Sequence, residues 1–237
     1  MGEDSQQLQT GQSRTSEIDS GGHRYRRIMF KTHFMAPGED IGKAIQGYMS
    51  RDLRPGDWVV VSEKCVVYTR GLAIDESEIE PGWWARYLHK FVTPTPYGAL
   101  GIGTPEKMQK AIELVGLWRI LLATCAAAVT RPFGFKGWFY RVAGDQVRSI
   151  DGQFGGPQGQ YRTKIIPPLP APDLVAREIA DACGWPVVIA DINDLGGSIK
   201  AVSLKKGDVP DFADILRDNP MGQTNAQTPL AIVRRVT

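Results

Sequence analysis

The run WPVVIADINDLGG, residues 185–197, carries Asp191, Asn193 and Asp194 out of an apolar stretch and on to Gly196 and Gly197. A carboxylate fixed at the end of a packed strand, beside a glycine-rich loop, suits Mg2+ or Mn2+. These ions take one or two carboxylates and complete their shell with water and phosphate oxygens. The same residues also suit a plain turn, because Asn, Asp and Gly favour turns for local backbone reasons. Asp145 and Asp151 form a second acidic element in YRVAGDQVRSIDG, after GWFYRVAG, which reads as a strand. Either acid is a candidate to complete a metal site with Asp191, and either also reads as a surface acid. Lys64 in SEKCV is the polar position of an otherwise apolar run, from which an ammonium reaches phosphate or an acidic substrate as a point charge. A solvated strand face is the alternative for Lys64. GIGTP precedes a helix whose free N–H groups would favour a phosphate, although capping by Thr104 accounts for the pattern equally. No Ser-His-Asp or Cys-His arrangement stands out, and three histidines make a His-rich metal site a poor reading.

The elements that must position these groups follow from hydrophobic period and from breakers. Residues 27–35 read as a first strand. Ile41, Ala44, Ile45 and Tyr48 then fall at i, i+3, i+4 and i+7, the spacing of an amphipathic helix. After the RPGD turn, residues 58–71 are rich in β-branched side chains and read as a strand or hairpin. Trp84, Tyr87, Leu88 and Phe91 repeat the helical spacing and predict a core or subunit-interface face. A third helix is capped by Thr104, started by Pro105 and closed by Gly116, with Met108, Ala111, Ile112 and Val115 as its buried stripe. A fourth, PDLVAREIADACG, is capped by Asp173 and ended by Gly184, and it leads straight into the strand that carries Asp191. Residues 198–204 alternate as the returning strand, and PLAIVRRV makes the last one. The segment 151–172 holds four glycines and five prolines with no period, and reads as one long loop, the kind that serves as a lid.

The whole-chain balance narrows the function classes. With 28 basic and 26 acidic side chains in 237 residues the net charge is +2, which offers no electrostatic case for nucleic acid. The most apolar run, residues 120–129, is about half the length needed to span a bilayer. Cys65, Cys125 and Cys183 are scattered in apolar runs, which predicts buried thiols rather than a disulfide framework or a zinc site. Residues 1–23 are polar and predict a disordered N-terminal tail, leaving 24–237 as one domain. Strands and helices alternate irregularly, so the fold class expected is α+β with a mixed sheet.

PGEDI, RPGDWVVVSEKCV, AGDQVRSID, PPLPAPDLVAREIADACG, VVIADIND and MGQTNAQTPLAIVRRV occur in this order. Together they resemble the coenzyme F-420 γ-glutamyl ligase family, from about Lys31 to Val236. The resemblance implies an α+β fold with largely antiparallel mixed sheets and packed helices, in an intertwined homodimer. It implies a cytoplasmic enzyme that uses GTP and Mg2+ or Mn2+ to add L-glutamate, through its amine, to the carboxylate of coenzyme F-420-0. Such chemistry is mostly positioning and charge neutralisation. By the resemblance Asp191 and Asp151 match metal-binding acids, with Asp145 as second choice to Asp151, and Lys64 takes the catalytic polar position. Asn193, Gly196, Gly197 and Gln223 are the nucleotide- or substrate-binding candidates. Where the family continues Gly-Arg and further arginines after its acid, this chain reads DLGGSIK. Lost arginines remove phosphate or carboxylate clamps. The alternative is therefore a non-catalytic protein of the same fold that binds a nucleotide or another phosphorylated ligand. A third reading is a partner-binding subunit built on the Trp83/Trp84 helix.

Overall fold

A computed structural model describes residues 8–92, 102–135, 137–152, 163–193, 196–204, 209–222 and 226–236. The chain divides into two compact units, Met1–Gly71 with Leu169–Thr237, and Leu72–Pro168. In chain order the second unit is inserted into the first, within the span 24–237 expected as one domain.

The first unit begins with a hairpin, β1 (Ser13–Ser20) and β2 (His23–Phe30); β1 falls in residues expected to be a disordered tail, and β2 overlaps the first strand expected over 27–35. Gly21 and Gly22 both have positive φ, as a two-residue hairpin loop with right-handed strand twist requires. Opposite residues in the register are Glu17 with Arg26 and Asp19 with Arg24, and both pairs form ion pairs. Arg27 is buried beneath them, donating to Ser16 Oγ, to the Ile215 carbonyl and to the Asp218 carboxylate. The charges of the tail are therefore cross-strand partners, which is why so polar a segment folds.

Helix α1 (Ile41–Met49) is capped by Asp40, whose side chain accepts from the Lys43 amide. The next strand, β3 (Trp58–Ser62), is short, and α2 (Glu63–Thr69) follows without a loop. The strand or hairpin expected over 58–71 is therefore half helix, and Lys64 lies on α2 rather than within a strand. After the inserted unit come α8 (Pro172–Cys183), β7 (Val187–Asn193), β8 (Gly196–Val202), the short α9 (Phe212–Ile215) and β9 (Leu230–Val236). Pro172, not a capping Asp173, opens α8, following Ala171 in a left-handed conformation.

The strands form one six-stranded sheet in the order β1-β2-β9-β3-β7-β8, antiparallel throughout except for β3 and β7, which are parallel. The class is α+β, as expected. The sheet is covered on both faces. Val60, Val188, Ala190, Ala231 and Val233 pack with Phe212 and Ile215 of α9 and with Leu216, which follows it. The alternate residues Val59, Val61, Val187, Ile189 and Ile232 are equally buried on the opposite face, where α2 and α8 contact β3 and β7.

The second unit contains β4 (Ile74–Asp75), α3 (Trp83–Leu88), α4 (Pro105–Val115), α5 (Leu117–Thr130), α6 (Trp138–Ala143), α7 (Asp145–Arg148), β5 (Asp151–Gly152) and β6 (Lys164–Ile166). Its three strands pair in the order β4-β6-β5. GWFYRVAG, expected as a strand, is helix α6, and the expected loop 151–172 contains β5, β6 and the start of α8. Ala85 and Leu88 join the core of this unit, whereas Trp83, Trp84, Tyr87 and Phe91 are exposed, so the aromatic stripe of α3 is not core. Trp118 is 79% exposed and Leu122 64%, giving α5 an apolar outer face as well. Among the described residues no single helix is long and apolar enough to cross a membrane.

Candidate functional site

Asp191 sits where the parallel pair ends. The last register step between β3 and β7 is Ser62 with Ala190, and the next residue of each chain is an acid, Glu63 and Asp191. In open, mostly parallel α/β sheets ligands bind outside the carboxyl ends of the strands, and the β3–β7 pair presents such an edge within a mostly antiparallel sheet. Glu63 is also the first residue of α2, where the helix dipole favours a negative charge. Its carboxylate is 6% exposed, accepts from the Leu169 amide at 3.0 Å and lies 3.4 Å from Lys200 Nζ. Burial raises the Glu63 carboxyl above its ordinary value of 4.5; the Leu169 amide and Lys200 draw it back down, and the Asp191 charge adds to the rise.

Lys200 completes a triad, with its Nζ 3.8 Å from Asp191 Oδ2. A bulge brings it there. Ile189 pairs with Ala201 and Ala190 pairs with Ile199, so Lys200 is the extra residue between two register steps. Ile199 and Val202 pack on the α9 side with Ala190. A regular ladder would turn the residue between Ala201 and Ile199 away from Asp191, and the bulge turns it back. Re-aiming a side chain is a common use of bulges near ligand sites.

Two carboxylates from neighbouring strand ends, both hard oxygen donors, match the set that Mg2+ or Mn2+ takes from protein before filling its shell with water and phosphate oxygens. Among the described residues no group of three or more His, Cys, Asp or Glu side chains is gathered for a metal. A cation here would rest on Glu63 and Asp191 alone.

The remaining predicted site residues fall in both units. Asp151 lies on β5 of the second unit, its Oδ1 accepting from the Gly152 amide at 2.8 Å. Asp145 opens α7 in the same unit with a side chain 94% exposed, 4.0 Å from Arg148. Asp191 belongs to the first unit, and the acid expected to join it at a metal, Asp151 or as second choice Asp145, belongs to the second. Lys64 is half-buried on α2, next in the chain to Glu63. Asn193 and Gly196 pair in the backbone register of the β7–β8 hairpin. A Cβ on Gly197 would meet the Asp191 carbonyl at 2.3 Å, so that glycine is demanded by the close approach of β8 to β7. Gln223 and Asp194 lie outside the described residues.

Glu63 and Lys200 escaped sequence reasoning. The signal for Glu63 was its adjacency to Lys64, obscured by reading SEKCV as a strand. Lys200 had no signal beyond being a lysine in an apolar strand. A third residue, Lys107, is 2% exposed on α4, and its Nζ donates to the Gly152 carbonyl at 3.0 Å, one residue from Asp151. A cavity of about 320 Å3 lies beside α1 and α8, lined by Asp40, Arg70 and Glu178 and crossed by the Arg70–Glu178 ion pair. None of the triad lines it.

Comparison with models of known protein families finds no match, and comparison with curated proteins finds none either.

Proposed function

We propose that the chain is a metal- and GTP-dependent ligase of the γ-glutamyl-ligase type, which phosphorylates an acceptor carboxylate and joins it to L-glutamate. The acceptor is coenzyme F-420-0 or a related compound, the fold is that of the resembled family, and the cell compartment is the cytoplasm. The observation that carries this reading is the convergence of Glu63, Asp191 and Lys200 where the parallel pairing of β3 and β7 ends. Mg2+ or Mn2+ would be held by Asp191 and Glu63 and would supply charge neutralisation on the transferring phosphate. The protein's own contribution is position. Glu63 is locked by the Leu169 amide, Asp191 by its strand, and the lysines at 64 and 200 supply positive charge near an anionic substrate. The exposed apolar faces of α3 and α5 support a homodimer in which a second copy covers them.

Asp191→Asn keeps the shape of the side chain and removes its charge. Calorimetry should show Mn2+-dependent GTP binding in the wild type and none in this variant, at unchanged circular dichroism. Equal binding by both would sink the assignment of Asp191. Incubation with GTP, glutamate and a deazaflavin extract, followed by mass spectrometry, tests ligation itself. A product heavier by one glutamyl unit is expected. Tight nucleotide binding with no product would favour the non-catalytic reading, which the absence of arginine between Asp191 and Lys200 supports.

A further inference from the structure

Lys200 lies against both carboxylates that would hold a divalent cation. Its ammonium lies 3.4 Å from a Glu63 oxygen and 3.8 Å from an Asp191 oxygen, and the side chain is only 15% exposed. An ammonium and a dication on the same two carboxylates repel each other twice as strongly as two unit charges at the same distance, so a bound metal weakens the lysine's hold. The structure makes the lysine the movable partner. Glu63 is tied to the Leu169 amide and Asp191 is carried on a paired strand, whereas Lys200 reaches both from a four-carbon stem. The backbone on either side of the bulge is held by Ile189 with Ala201 and by Ala190 with Ile199, so the side chain can swing without disturbing the sheet.

Resting on the reading that Asp191 binds a divalent cation, we propose that Lys200 is the resident counter-ion of this site and a phosphate-contacting residue once the site is loaded. The metal enters by displacing the ammonium from Glu63 and Asp191. The displaced ammonium then meets the polyphosphate that arrives with the metal, supplying a positive charge that DLGGSIK otherwise lacks between Asp191 and its lysine. A purely structural salt bridge would instead stay closed in every state.

The test uses the full chain with Mn2+ as probe. Lys200→Met should bind Mn2+ about tenfold more tightly than the wild type by calorimetry, and adding Glu63→Gln should erase that gain. Reductive methylation of the wild type, with the labelled lysines identified by mass spectrometry, gives a readout that needs no variant. Labelling at Lys200 should rise severalfold with Mn2+ and fall again when inorganic triphosphate is added. Mn2+ binding in the wild type with no gain in Lys200→Met and no rise in labelling overturns the counter-ion role and leaves the metal assignment standing. A rise with Mn2+ that triphosphate leaves unchanged overturns the phosphate contact. Failure of both proteins to bind Mn2+ overturns this proposal and the metal reading together.

Discussion

Lys200→Met removes the single positive charge between two carboxylates, and its cost in stability can be worked from the geometry. At an effective dielectric of about 20, a charge pair at 3.4 Å is worth roughly 5 kcal/mol before desolvation is subtracted. Breaking a buried pair by removing one partner typically costs about 3–5 kcal/mol, because the remaining charge is stranded. Glu63 has an escape, since it can take up a proton. From its ordinary value of 4.5, protonation at pH 7 would cost about 3.5 kcal/mol, at about 1.4 kcal/mol per pH unit. Burial already raises the Glu63 carboxyl, so the loss is capped below that figure. The sign of the pH dependence follows. A carboxyl raised in the folded state binds more protons folded than unfolded, so stability falls as pH rises from 4.5 through the folded value and grows as pH is lowered through it. The variant should therefore lose about 2–3 kcal/mol at pH 7 and about 1 kcal/mol or less at pH 5. For a chain of this size that is a drop of about 5–10 °C in Tm at pH 7. Urea and thermal unfolding, followed by tryptophan fluorescence at both pH values, measure it, and Glu63→Gln in the same chain should restore most of the loss. A loss under about 0.5 kcal/mol at pH 7, or an equal loss at both pH values, would refute the reasoning.

Asp57 is fully buried and holds Arg234 through two bonds of 2.7 Å, while also accepting from the Arg54 amide at 2.8 Å. Asp57→Ala should cost about 3–5 kcal/mol by denaturant unfolding, since it strands a guanidinium, and a loss under about 1 kcal/mol would count against the pair. Cys65, pushed up to about 12 by burial, and Cys183, raised by burial, should resist iodoacetamide at neutral pH in the folded protein. Cys125 is exposed and is the thiol expected to react, so mass spectrometry that finds native Cys65 alkylated would contradict its burial. Leu122→Asp places a charge on the apolar face of α5 and should convert the proposed dimer to a monomer in analytical ultracentrifugation. An unchanged dimer would move the interface elsewhere.

Much of the fold was legible where local physics is strong. The α1 spacing, the Thr104 cap with Pro105, the Gly116 and Gly184 stops, and the strands carrying Val187–Asn193 and Leu230–Val236 were readable because period and capping act within one turn or one strand. The β1–β2 hairpin carried its own signal in Gly21-Gly22 and in alternating acids and bases, but composition outweighed it. GWFYRVAG misled because aromatic and β-branched residues favour strands only weakly, and packing within the second unit made it helical.

Residues close together in the chain settled the α+β class, an acid late in an apolar strand, and the turns that end the helices, because each depends on groups within a few positions of one another. Only the tertiary structure decided which groups stand beside Asp191. Glu63 arrives there from the end of a parallel strand far away in the chain, before the inserted unit in sequence, and Lys200 arrives through a one-residue bulge in β8. A one-residue step in register reverses the face a side chain takes, so no reading of SIKAV alone could place that ammonium between two carboxylates.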